Sequence, residues 1–350
     1  MILEYRLITM RGLRFFAVLA GVIVCMVAYS QPGKNRLQYW GSPENYLNAQ
    51  GTVILDLVNQ TLDECPPSIK YSLERRQALT LLDAVLHETK YDDGQLVRDF
   101  IASRLDRVLN DLKKPLPSKK DVRIYKIYND GFLIRSQAGI IAVDLNGRQG
   151  TLIPDSLMAK IVSRCDALFI THIHEDHCDK NVIDLFSSMD KPVYVVGNYA
   201  LSGKNVHLVR YDEPKEVSVT MGGEKIQVTV LPGHQDDLLN NIYIFTLPNG
   251  RSVAHLGDQY NEEDMPMIRN AKEYAKGLDV LIINCWSNHF NEYVAGFSPK
   301  VIVTGHEDEL GHSIDHREAF WLTYYKMEEV YKISVPYVIM GWGEGFTFRP

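Results

Sequence analysis

With 350 residues, 45% of them hydrophobic and 23% charged, the chain has room for one large domain or two modest ones and an ordinary globular composition. A formal net charge of -7 and a pI near 5.9 give no electrostatic ground for a nucleic-acid partner. Cys65, Cys165, Cys178 and Cys285 show no CxxC pair that points to a structural zinc and no spacing that fixes a disulfide framework, although their number permits bridges.

The first thirty residues read as an address. Arg6, Arg11 and Arg14 precede an apolar run from Phe15 to Val27, and Ala28-Tyr29-Ser30 then places small residues before Gln31. These are the parts of a signal peptide over residues 1–30, and the apolar run is short for a bilayer span. The expectation is a secreted or periplasmic protein with no membrane span after cleavage.

Residues 31–120 form the next segment. From Pro43 to Leu112 the pattern is helical, with apolar spacing of three and four in Val53-Ile54-Leu57-Val58 and in Leu79-Leu82-Val85-Leu86. Asp92-Asp93-Gly94 interrupts it before Leu96 to Leu109 resumes, and Lys113 to Lys120, with Pro115 and Pro117, reads as a linker.

After Asp121 the texture changes, and residues 121–350 read as one domain. Val122 to Arg135 and Ala138 to Leu145 are β-rich runs joined by polar turns. Strands are then expected at 167–171, 192–196, 217–230, 241–245, 252–255, 280–284, 301–304 and 337–340. Helices are expected at 152–163, 179–188, 262–276 and 315–331. The alternation makes this an α/β domain.

Chemistry concentrates in Thr171-His172-Ile173-His174-Glu175-Asp176-His177, directly after the apolar run Ala167-Leu168-Phe169-Ile170. A strand ending in a tight loop aims His172 and His174 at one point, while Asp176 and His177 open the following helix and face a second. Such a cluster has no packing benefit of its own. Imidazole and carboxylate together suit a divalent ion. Three more candidates close β runs behind a glycine, a residue that lets the backbone turn sharply. They are His234 after Gly233, Asp258 after Gly257 and His306 after Gly305.

The HxHxDH motif from His172 to His177, followed in order by His234, Asp258 and His306, resembles the metallo-β-lactamase superfamily over about Asp121 to Pro350. The resemblance implies an αββα sandwich, here with a helical N-terminal extension that finds no counterpart in the family. It implies one metal on His172, His174 and His234, a second on Asp176, His177 and His306, and Asp258 bridging both. Two zinc ions per chain are expected, and manganese or iron accept the same ligands. Asp258 stands where zinc β-lactamases carry cysteine, which disfavours antibiotic hydrolysis. His174 stands where diiron flavoprotein oxidoreductases carry Glu, which favours hydrolysis over redox chemistry. The chain is most similar to the branch of ascorbate-6-phosphate lactonase and N-acylphosphatidylethanolamine phospholipase.

The implied enzyme is a zinc-dependent hydrolase in which a metal-bridging hydroxide cleaves a lactone or ester of a small molecule, with Asp176 both ligating and orienting the nucleophile. A phosphodiesterase of the same fold is the second reading, and a non-catalytic, metal-stabilised binding protein the third. A nuclease would need a basic groove and a clamping segment, and no Lys/Arg-rich insertion is present. His255 reads as a buried, hydrogen-bonded histidine, and His312 and His316 as support or helix capping. Glu307, Asp308 and Glu309 read as a solvated acidic turn. Trp286, His289, Phe290 and Tyr293 read either as a substrate wall or as core. Cys178 is expected to pack near the site, and Glu175 to point to solvent or cap the helix.

Overall fold

The computed structural model describes residues 43–88, 94–197 and 205–349, so the signal segment, Cys25 included, and Asp92-Asp93 lie outside the described residues. The chain divides into two compact units, residues 1–50 and 51–350; of the first, residues 43–50 are described and are helical.

Three helices come first: α1 (Pro43–Glu64), α2 (Leu73–Leu86) and α3 (Gln95–Leu112). The expected continuous helix breaks at Pro66-Pro67, because proline lacks the N–H that would extend it. Ser72 restarts it as an N-cap, its hydroxyl accepting from the Arg75 N–H. Leu79, Leu82, Val85 and Leu86 face inward as their spacing requires. In α1 the buried side chains are Leu55, Val58 and Leu62, while Val53 and Leu57 are exposed, so Val58 of the predicted stripe is buried and Leu55 and Leu62 complete the face.

Fourteen strands follow among the described residues, in two seven-stranded sheets. The first holds β1 (Val122–Tyr128), β2 (Gly131–Arg135), β3 (Ile140–Val143), β4 (Ala167–Ile170), β5 (Val193–Val196), β6 (Val206–Val209) and, at its far edge, β14 (Glu344–Phe348). The second holds β7 (Lys215–Met221), β8 (Glu224–Gln235), β9 (Leu238–Thr246), β10 (Ser252–His255), β11 (Val280–Asn284), β12 (Val301–Gly305) and β13 (Tyr337–Ile339). β14 escaped the sequence reading. It is short and carries Glu344 and Gly345, and it exists through antiparallel pairing with β1, more than two hundred positions away.

The strand periodicity of two sorts side chains between layers. Val253, Ile282 and Val303 enter the core between the sheets, where they meet Ile124, Phe132, Ile141 and Phe169 of the first sheet. Their neighbours Ala254, Leu281 and Ile302 face the other way, onto helices α6 (Met265–Arg269) and α7 (Phe290–Phe297). Helices α4 (Asp155–Val162) and α5 (Lys180–Ser188) belong to the first sheet's side, and α8 (Phe320–Tyr325) precedes β13. Helices flanking two mixed sheets make this an αββα sandwich with helices added before it. The helix expected at 262–276 is instead a series of short turns around α6, interrupted at Asn270. The one expected at 315–331 is α8 continued by a π turn over Lys326–Val330. Helix α7 was not foreseen.

From β3 to β6 and from β10 to β13 the strands run parallel, largely buried apart from the edge strand β6, so their carboxyl ends align on one rim of the sandwich. In open α/β sheets that rim is where ligands bind.

Candidate metal centre

The loop after β4 delivers four candidates. Helix α5 begins at Lys180, later than expected, because Asp179 caps it by accepting from the Asn181 and Val182 N–H groups. Asp176 and His177 therefore stand in the preceding turn and not on the helix. His172 and His177 are fully buried, and Glu175 points to solvent.

Two sets of ligand atoms converge, each within 4.8 Å: Asp176, His177, Asp258 and His306 in one, and His172, His174 and Asp258 in the other. Asp258 belongs to both. Its Oδ2 lies 3.3 Å from His177 Nε2, 3.5 Å from His306 Nε2 and 3.8 Å from His172 Nε2. Asp176 Oδ2 lies 3.1 Å from His177 Nε2 and 3.0 Å from His306 Nε2. His172 Nε2 and His174 Nδ1 are 3.1 Å apart.

Neither converging set includes His234. It lies within β8, partly exposed, and its Nδ1 is 3.1 Å from Asp264 Oδ1. A proton on Nδ1, donated to Asp264, leaves the Nε2 lone pair free.

Several side chains hold these groups in place, and the sequence reading overlooked them. Asp144, buried at the end of β3, takes the Thr171 N–H (2.8 Å) on Oδ1, while its Oδ2 meets the Thr171 hydroxyl (2.6 Å) and His177 Nδ1 (2.9 Å). The signal was present, since Asp144 follows the apolar run Ile140–Val143 just as Asp258 and His306 follow theirs. Asn284 Nδ2 donates to Asp258 Oδ1 at 2.5 Å, Gln235 Nε2 to Oδ2 at 3.3 Å, and Asn240 Oδ1 accepts the Asp258 N–H at 3.0 Å. Asn129 Nδ2 donates to Asp176 at 3.0 Å. His306 sits at φ 71°, a left-handed conformation that side chains other than glycine seldom adopt.

The electrostatics follow from this crowding. Burial alone would lower the pKa of His177 and His306, but Asp258 and Asp176 outweigh it, lifting His177 well above its ordinary value and His306 to about 9. Burial and the charge of His177 together depress His172 to about 3. Burial opposes ionisation of Asp176 and Asp258, yet the imidazolium neighbours hold both carboxyls well below the usual range. His177 Nε2 is one of the buried atoms of the described residues that lack a hydrogen bond of ordinary geometry. A buried nitrogen aimed at carboxylate oxygens, with its other nitrogen held by Asp144, is the arrangement of a divalent-metal ligand. The donor set fits the ion.

Neighbouring residues resolve the remaining expectations. His255 is fully buried, its Nε2 3.1 Å from the Asp130 carbonyl and its Nδ1 accepting the Gly257 N–H at 3.1 Å. His312 stacks on His306 with ring centroids 5.6 Å apart, while His316 is exposed. Phe290 and Tyr293 are core, and Trp286 stands edge-on to His306 at 6.1 Å with Tyr260 beside it. The acidic turn is a correction: Glu307, Asp308 and Glu309 are all buried. Lys126 pairs with Glu307, and the Tyr128 hydroxyl donates to Glu309. Cys178 is buried, and none of the four described cysteines forms a disulfide among the described residues.

A family model described as a β-lactamase superfamily domain matches residues 123–294. Among solved structures the chain is similar to a metallo hydrolase of the hyperthermophilic archaeon Ignicoccus hospitalis, with 16% identity, a TM-score of 0.50, and coverage of 65% of this chain and 99% of that one. It is also similar to CmlA, a diiron β-hydroxylase of Streptomyces venezuelae, with 17% identity, a TM-score of 0.48, and coverage of 68% and 55% respectively. An isothiocyanate hydrolase from Delia radicum gut bacteria matches with 13% identity, a TM-score of 0.47, and coverage of 64% and 98%. No curated protein sequence matches the chain. No helix of the described residues is long and apolar enough to cross a membrane.

Proposed function

We propose that this chain, whose residues 123–294 match a β-lactamase superfamily domain, is a dinuclear zinc hydrolase of the metallo-β-lactamase superfamily that cleaves a lactone or ester of a small molecule. The observation that carries the reading is the single oxygen Asp258 Oδ2, which lies 3.8 Å from His172 Nε2, 3.3 Å from His177 Nε2 and 3.5 Å from His306 Nε2 in a residue common to both converging sets. His172, His174 and His234 would hold one ion, Asp176, His177 and His306 the other, and Asp258 both. Two divalent ions so held supply Lewis acidity at the substrate oxygen and lower the pKa of water towards neutrality.

The chain's own residues do the positioning. Asp144 takes the Nδ1 proton of His177 and so turns its Nε2 lone pair inward. Asp264 does the same for His234. Asn284 and Gln235 fix both oxygens of Asp258. Asn129 orients Asp176, whose carboxylate would in turn orient the attacking water. Tyr260 and Trp286 provide an aromatic wall beside His306.

A cavity of about 490 Å³ opens beside His234, lined among others by Asp212, Glu213, Glu263, Asp264 and Glu273. Its lining includes none of the residues that converge around Asp258, and the carboxylic bond class is preferred on the resemblance alone. The basic start and apolar run of residues 1–30 support export, with the mature chain beginning at Gln31.

The test is turnover by the zinc-loaded mature chain on a lactone, an aryl ester and an aryl phosphodiester, with Asp176→Ala as the blank. Hydrolysis of the lactone or ester that disappears in the variant supports the reading. Wild-type rates equal to the variant's on all three substrates contradict it.

A further inference from the structure

The turn after β12 carries more buried charge than the site around Asp258 uses. Asp308 is fully buried at φ 54°, and its carboxylate lies against that of Asp83, neither oxygen receiving an N–H of ordinary geometry among the described residues. Two residues of the N-terminal helices meet it there: Asp83 on α2 and His87 at that helix's C-cap. Ligand atoms of the three lie within 4.8 Å of one another.

The local geometry suits a cation. His87 Nδ1 is 3.3 Å from Asp308 Oδ1 and 3.0 Å from the Asp83 carbonyl oxygen, while its Nε2 is 3.4 Å from the Arg317 carbonyl. Nδ1 faces oxygen atoms only: with a proton it donates to the Asp83 carbonyl, and with the proton on Nε2 a cation between nitrogen and oxygens takes that place. Asp83 is itself fixed, its two oxygens each accepting one backbone N–H, from Phe320 at 2.7 Å and Trp321 at 2.9 Å. Each of those oxygens keeps a lone pair.

Charge balance points the same way. Four buried carboxylates, Asp83, Glu307, Asp308 and Glu309, gather around this turn. Among the cations beside them are Lys126, paired with Glu307, and Arg317, which donates to the carbonyls of Leu86, Leu310 and His312. Buried carboxylates that lack compensation are costly, and one divalent ion cancels the excess.

We propose that Asp83, His87 and Asp308 form a separate site for a divalent ion of the zinc or manganese class, tying α2 to the turn that carries His306. One imidazole nitrogen with carboxylate oxygens favours such an ion over calcium, which takes oxygen ligands alone. The site gives the N-terminal helices a role: Asp308 lies two residues past His306, so the ion would fix the backbone of a ligand to the main centre.

The test is zinc content per chain, measured by elemental analysis after zinc loading and gel filtration of the full chain. In a His177→Ala/Asp258→Ala background, which removes ligands of the main centre, one equivalent should remain, and adding His87→Ala should remove it. Should that background fail to fold, the single variant decides. His87 is partly exposed, and His87→Ala in the otherwise unchanged chain should lose one equivalent and keep the rest. Asp308→Asn, nearly isosteric, should lose the same equivalent. Equal zinc content in wild type and His87→Ala overturns the proposal, and leaves a proton shared between Asp83 and Asp308 as the cluster's charge balance.

Discussion

Asp144 Oδ2 lies 2.9 Å from His177 Nδ1, and the same carboxylate takes both the N–H and the hydroxyl of Thr171, the residue that opens the ligand loop. One buried acid thus sets the direction of an imidazole and the backbone course of the loop bearing His172, His174 and Asp176. Asp144→Asn keeps the shape but offers Nδ1–H one acceptor oxygen at most. Metal affinity should fall by about 10–100-fold, the range seen when such partners are removed. Competition against a chromogenic chelator measures it, and an unchanged affinity would show that Asp144 serves the fold alone.

The stripped protein should lose stability as pH rises. His306 has its folded pKa lifted to about 9 by Asp258 and Asp176 against the opposing effect of burial, and His177 is lifted too. A raised folded value means that the folded state binds more protons than the unfolded one between about pH 6.5 and 9. Their contribution is complete below about 6.5 and fades towards 9. Metal ligation requires the same nitrogens unprotonated, so affinity should rise over that window. Melting curves with and without zinc at pH 6.5, 7.5 and 9 should show the gap between them widening.

Gly257 holds φ 55°, and a Cβ there would stand 2.5 Å from Asn240 Oδ1 and 2.6 Å from Thr171 Cβ. Asn240 is the residue that accepts the Asp258 N–H. Gly257→Ala therefore combines backbone strain with a clash at the support of Asp258. A loss of about 1–3 kcal/mol in chemical denaturation is expected, together with weakened metal binding.

Arg75 on α2 meets Glu344 on β14, both buried, with a 2.7 Å contact from Nη1 to Oε1 and a closer one from Nη2 to Oε2. Glu344 also accepts the Gly341 N–H at 2.7 Å. Glu344→Ala leaves Arg75 buried without its carboxylate and should cost about 3–5 kcal/mol. Denaturation of the full chain checks this, and a loss under about 1 kcal/mol would mean that solvent reaches Arg75.

The convergence of His172, His174, Asp176, His177, Asp258 and His306 was legible because their runs follow apolar strands, whereas His234, inside β8, joins neither set. The αββα architecture followed from the alternation of strands and helices together with the resemblance. What stayed hidden depended on distant partners. Glu307, Asp308 and Glu309 look solvated in a local reading, yet Lys126, Tyr128 and Asp83, which cover them, come from strands and helices far upstream. β14 owes its existence to β1 and not to its own composition. The expected helix at 262–276 failed for a local reason, since Asn270 ends α6 after one turn and Gly277 holds φ 69°.

The most direct measurement is ester and lactone hydrolysis as zinc is titrated into the stripped, mature chain. Activity should rise from the buffer rate and saturate as the centre fills, and His177→Ala should abolish the rise. Hydrolysis at full rate before any metal is added, or an equal rise in His177→Ala, would contradict catalysis by ions held between Asp258 and its histidines.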